Sequence, residues 1–122
     1  MSVQPLYQDT KTRKVYAKFL NELHWIASPE TLSAVFGPSE ELQIDKSVPT
    51  LIAEGFQING GSCLIASGGG IYLYTNGKKY LIASGDALTK YQFRGKTYPR
   101  DSQDNILAAI VLDSVPDGGS IS

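Results

Sequence analysis

The hydrophobic pattern is most regular from Ile71 to Phe93, IYLYTNGKKYLIASGDALTKYQF. Ile71, Tyr72, Leu73 and Tyr74 read as one strand and Tyr80, Leu81 and Ile82 as a second, on either side of Asn76-Gly77. Both residues of Asn-Gly accept the positive φ that a type I′ turn requires, so a tight hairpin is predicted. At Ser84 the period changes to that of a helix, with Ser84 as N-cap, Asp86 in an acidic first turn, and then Ala87, Leu88, Tyr91 and Gln92. If Ile71 and Leu73 face the core, alternation sends Tyr72 and Tyr74 to the opposite face, which a helix or a partner would have to cover.

The same pattern occurs once earlier in the chain. Val15 to Gly37, VYAKFLNELHWIASPETLSAVFG, aligns with it so that Tyr16 falls on Tyr72, Ile26-Ala27-Ser28 on Ile82-Ala83-Ser84 and Leu32 on Leu88. Asn59-Gly60-Gly61-Ser62 is echoed by Asp117-Gly118-Gly119-Ser120, and a short strand candidate precedes each hairpin, Val3 to Tyr7 and Cys63 to Ala66. The first helix should run from Ser28 to Phe36, with Pro29 at its first position, Glu30 in its first turn and Gly37-Pro38 closing it. Leu42 to Ile44 is a possible short strand, followed by a second helix from Asp45 or Ser47 through Leu51, Ile52 and Ala53 to Gly55. In the second copy the linker RGKTYPRDSQ leads to a helix from Asp104 through Ile106, Leu107, Ile110 and Val111 to Asp113, ended by Val115-Pro116-Asp117-Gly118. The predicted fold class is α+β: two tandem copies, 1–60 and 61–122, each a β-meander plus short helices, packed as one pseudo-twofold domain. Positions that match in both copies, Tyr16/Tyr72, Ile26/Ile82 and Leu32/Leu88, are expected in the core.

Composition adds limits rather than a function. The chain has 122 residues, 42% hydrophobic, enough for one core. A net charge of −1 and a pI near 5.7 supply no global field for nucleic acid or an anionic membrane, so neither is expected as a partner. The charge is unevenly spread. Between Lys78 and Arg100, Lys78, Lys79, Lys90, Arg94, Lys96 and Arg100 stand against Asp86 alone, whereas between Glu22 and Glu54, Glu22, Glu30, Glu40, Glu41, Asp45 and Glu54 stand against Lys46. Solvated faces of opposite sign explain this, and head-to-tail contact between copies is the sharper alternative. The lone Cys63 lies in the apolar run Cys63-Leu64-Ile65-Ala66 and is expected to act as a small buried hydrophobe. No apolar leader region is seen near the start, so a virion or cytoplasmic location is expected.

Catalytic chemistry has little support. His24, the single histidine, aligns with Tyr80, a strand position that calls for a ring with a polar end. One His and one Cys do not make an ordinary zinc site, and Gly68-Gly69-Gly70 lacks the Lys-Ser/Thr and helix of a phosphate loop. Glu40-Glu41 and Asp101/Asp104 read as solvated acids. The expectation is therefore no enzyme and no cofactor or metal. What does not repeat between the copies carries the binding expectation: Tyr74, Lys78, Lys79, Tyr80, Lys90 and Arg94, joined by Tyr91 and Tyr98, form a Tyr-Lys surface suited to a protein interface or a sugar.

LIASGGGIYLYTNGKKYLIASGDALTKYQF and the closing SVPDGGSI resemble a short repeat of bacterial envelope-associated proteins and some phage proteins: a Tyr-Leu strand, NGKK, a strand ending Ile-x-Ser, a helix and a closing Pro-x-Gly. Tyr72-Leu73, Asn76-Gly77-Lys78-Lys79, Ile82-Ala83-Ser84 and Pro116-Asp117-Gly118 carry the likeness. The first copy departs from it, with Leu20-Asn21-Glu22-Leu23 at the turn. The resemblance implies a non-catalytic attachment module. Combined with the missing leader, it leads to an expected virion structural component (tail, baseplate or capsid decoration) with protein partners or self-association. A carbohydrate- or peptidoglycan-binding module using Tyr74, Tyr80 and Tyr91 is the alternative.

Overall fold

A computed structural model describes residues 3–67, 69–99 and 114–122. Its architecture is α+β: a mixed sheet of four strands and one of five, with two short α-helices, among the described residues. In the first half, β1 (Leu6–Gln8), β2 (Val15–Phe19) and β3 (Glu22–Ile26) form an antiparallel meander, followed by α1 (Pro29–Phe36), a 3-10 turn (Ser39–Glu41) and β4 (Ile44–Asp45) parallel to β1. In the second half, β5 (Cys63–Ser67), β6 (Gly70–Thr75) and β7 (Lys78–Ile82) form the meander. They are followed by α2 (Gly85–Lys90), by β8 (Thr97–Pro99) parallel to β5, and by β9 (Asp117–Ile121) parallel to β7.

Local chemistry accounts for these elements. Both hairpins turn on two residues in the left-handed region, Asn76 and Gly77 at φ 53° and 74°, and Leu20 and Asn21 at φ 53° and 61°. The first pair adopts this conformation readily, whereas Leu20 is held in it against its own preference. Both helices start on a serine: the Ser28 hydroxyl accepts the Thr31 N–H at 3.2 Å and the Ser84 hydroxyl accepts the Ala87 N–H at 3.1 Å. Gly37, at φ 94°, ends α1.

One core draws on both halves. Phe19, Val35, Phe36 and Ile58 of the first half pack with Leu64, Leu73, Ile82 and Ile121 of the second, all within the buried set. Rings join across the seam: Phe36 stacks on Phe93 at 5.3 Å and Phe56 on Tyr80 at 5.3 Å. Backbone and amide groups add to the joint. The Gly95 N–H donates to the Val35 carbonyl at 3.0 Å, and a Cβ at Gly95 would overlap the Ala34 carbonyl, so the close approach of the α1 backbone depends on glycine there. Gln92 is 1% exposed, and its amide bonds to Gln43 and Gln4.

Several expectations are corrected. Residues 45–55 form no second helix. Ser47 N–H donates to the Asp45 carboxylate in a local turn, Pro49 has no N–H for a helix interior, and Leu51 is 98% exposed. Instead residues 53–58 run parallel to β3: Leu23 N–H donates to Ala53, Gly55 N–H to Leu23, and Ala27 N–H to Ile58. Tyr16 and Tyr72 were expected in the core. They are only half-buried, on the outer faces of their sheets, because directly paired strand residues share a face and Leu73 and Ala17, one position along, take the inward one. Ile26, Ile82 and Leu32 are buried as expected, and Leu88 is half-buried against the core. Asn59 to Ser62 is a turn leading into β5, whereas Asp117 to Ser120 belongs to β9, so their similar sequences serve different structures. The helix expected over 104–113 lies outside the described residues.

Candidate functional site

The residues expected to form a Tyr-Lys surface divide among separate places. Tyr74 and Tyr98, with Tyr72, pack half-buried around Cys63 and Ile65 on the outer face of the second sheet. Register explains the grouping: Cys63 lies opposite Tyr74, Ile65 opposite Tyr72, and Ile65 again opposite Tyr98 on its other side. Lys79 is paired with Tyr74, and its ammonium lies 6.0 Å from the Tyr72 ring centroid, while Lys96 stands 5.0 Å from the Tyr98 ring. Lys78 is exposed at the hairpin end.

Tyr80 does not belong to this surface. It is 4% exposed and part of the core, stacked on Phe56, because a two-residue turn pairs it with the inward Leu73. Burial, and then the negative charge of Glu22, push its phenol above the ordinary value of 10.0. Lys90 and Tyr91 lie at a further place, beside Gln4 and Lys18. The Lys90 ammonium stands 5.0 Å from the Tyr91 ring, whose hydroxyl donates to the Ser122 carbonyl at 2.8 Å. Arg94 is exposed and donates to the Glu41 carbonyl at 3.3 Å, tying the halves together rather than joining the tyrosines.

His24 is fully buried, between Phe19 at 4.0 Å and Phe56 at 4.2 Å. Its ring nitrogens face backbone carbonyls, Nδ1 at 2.9 Å from Phe56 and Nε2 at 3.0 Å from Phe19, with the Glu22 carboxylate 3.9 Å from Nε2. The ring thus sits inside the hairpin, with both nitrogens directed at backbone carbonyls, to which only a nitrogen carrying a hydrogen can donate. Cys63 is buried beside Ile65. Among the described residues no group of three or more His, Cys, Asp or Glu is placed to hold a metal ion, and no helix is long and apolar enough to cross a membrane.

One concave feature was not expected from the sequence. A cleft of about 730 Å³ lies between the β1–β2 loop, the end of β3, the start of α1 and the 3-10 turn. Its walls include Arg13, Lys14, Trp25, Ser33, Ser39 and Glu40. The loop carrying the cations is held firmly. The Asp9 carboxylate accepts the N–H groups of Lys11 at 2.8 Å and Thr12 at 3.2 Å, which lowers its pKa below the usual carboxylate value. The Asp9 N–H donates to Lys14 at 2.9 Å and the Arg13 N–H to Asp9 at 2.8 Å, with Arg13 at φ 67°. Lys14 is thereby placed with its ammonium 4.5 Å from the Trp25 ring centroid. A signal for this site was available in Lys11-Thr12-Arg13-Lys14, a cation-rich loop within an otherwise acidic half. No family model, curated protein or solved structure matches the chain.

Proposed function

We propose that this chain is a non-catalytic attachment or assembly protein, its setting a phage virion as a tail, baseplate or capsid-decorating component. The observation that carries the proposal is a second apolar cluster on the face of the second sheet away from the main core, where half-buried Tyr72, Tyr74 and Tyr98 surround buried Cys63 and Ile65. Tyrosines in this position offer large apolar area with a polar tip, the composition of protein interfaces. The likeness of the NGKK hairpin and Pro-x-Gly close to an attachment repeat supports the same setting.

In this proposal the halves are two copies of one unit related by a pseudo-twofold axis. Supporting it, the hairpins pair in the same register, Val15 with Ile26 and Ile71 with Ile82. In each half a strand after the helix also adds in parallel beside the first strand, and a later segment runs parallel to the third. Duplication supplies the scaffold, and the outer faces diverge to take partners. Carbohydrate binding is the second reading, favoured by the Trp25 cleft rather than by the tyrosines.

Gene neighbourhood and co-purification test the proposal. Virion-protein genes are expected beside this one, and the chain is expected to co-purify with one of their products. Tyr74→Ser should lose that association, while Lys90→Ala, elsewhere on the molecule, should keep it. A cell-wall operon, or association unaffected by Tyr74→Ser, would overturn it.

A further inference from the structure

We propose that the cleft beside Trp25 binds an acidic saccharide, a sugar chain bearing carboxylates such as uronic acid units. The site is distinct from the tyrosine face and stands on separate observations. Its volume of about 730 Å³ falls within the range of small-molecule sites. Arg13 and Lys14 contribute two cations against the single carboxylate of Glu40, so the walls are net positive within an acidic half of the chain.

The pairing state of these groups points to an anionic ligand. Among the described residues the Arg13 guanidinium makes no hydrogen bond or ion pair, and Lys14 lies over an indole and makes no ion pair, the Asp9 carboxylate acting on it only from beyond ion-pair distance. A guanidinium presents a planar fork that fits a carboxylate bidentately. Lys14, resting on Trp25, brings a bound anion against an aromatic ring, which suits the apolar face of a pyranose. Ser33 and Ser39 add exposed hydroxyls, and Glu40 accepts from sugar hydroxyls. A polyhydroxyl ligand uses all of these; a simple inorganic anion uses only the cations. At the matching hairpin positions the second sheet has Gly69, Gly70 and Leu81, so the constellation belongs to the first half alone.

Trp25 is the only tryptophan, so its emission reports on this cleft directly. Titration with oligogalacturonate is expected to give a saturable emission change that weakens with added salt. Arg13→Gln and Lys14→Gln, with unchanged far-ultraviolet circular dichroism, should each weaken binding about tenfold. Calorimetry on the unaltered chain covers binding that the indole does not sense. Any of four results would overturn the proposal. These are neither heat nor emission change with oligogalacturonate; equal binding of an uncharged oligosaccharide, unaffected by Arg13→Gln; saturation by acetate at the same concentrations; or tighter binding of a polyglutamate peptide, which would assign the cleft to an acidic protein segment.

Discussion

Replacing Gln92 by leucine tests whether a single buried amide joins the two halves. The side chain is 1% exposed and makes three hydrogen bonds: Oε1 accepts the Gln43 N–H at 2.7 Å, and Nε2 donates to the Gln4 carbonyl at 2.7 Å and the Gln43 carbonyl at 3.2 Å. These carbonyls and this N–H flank β1, whose Leu6 N–H itself donates to the Gln43 carbonyl at 2.8 Å. Leucine keeps most of the volume and the same left-handed backbone strain at φ 62°, so the substitution isolates the polar contacts. At ~1 kcal/mol net per bond the loss is ~3 kcal/mol, or roughly 10 °C in melting temperature for a domain of this size. Gln92→Glu should cost at least as much, because one carboxylate oxygen would face the two carbonyls that the amide now donates to. Urea unfolding gives the free energy, and hydrogen exchange should show the Leu6 and Gln43 amides losing protection first. A Gln92→Leu protein within 0.5 kcal/mol of the parent, a range typical of surface changes, would refute the joint.

Tyr80→Ala should cost about 3–5 kcal/mol as a core truncation. Tyr80→Phe should cost far less near neutrality and lessen the loss of stability in alkali. The sign follows from burial: a phenol pushed above 10.0 stabilises the fold fully below that pH and loses the contribution as pH rises past it, a trend read by urea titration at several pH values. Gly95→Ala should lower stability by about 1–3 kcal/mol, since its Cβ meets α1 backbone rather than a movable side chain; a neutral effect in thermal melts would contradict the seam. For Asp9→Asn the difference from the parent should be present above pH 3.8 and fade as pH falls below it, because the lowered carboxyl stabilises only when ionised. Equal differences at pH 6 and pH 2.5 would sink that account.

Much of the fold could be read in the chain because it rests on local chemistry. The Asn76-Gly77 turn, the Ser28 and Ser84 caps and the alternation of Ile71 to Thr75 each act within a few residues. Tyr80 was readable too: a two-residue turn pairs it with Leu73, and cross-strand partners share a face. A tyrosine that differs between the two aligned stretches need not be a surface feature, since its place on the strand decides its burial. The absent helix over 45–55 shows the opposite limit. Its apolar residues Leu51, Ile52 and Ala53 fit a helix locally, but the backbone of 53–58 gains more by pairing with the open edge of β3.

The sequence by itself determined the two hairpins, the two helix starts and the mixed α+β class, since turn φ values, caps and period are properties of neighbouring residues. Only the tertiary structure decided which tyrosines gather on one sheet face and that His24 and Tyr80 lie inside. It also decided that Gln92 bonds to residues far along the chain and that Arg13, Lys14 and Trp25 share one cleft with Ser39 and Glu40. Those groupings depend on strand register and on how one half meets the other, contacts between residues too distant in the chain for any local pattern to record.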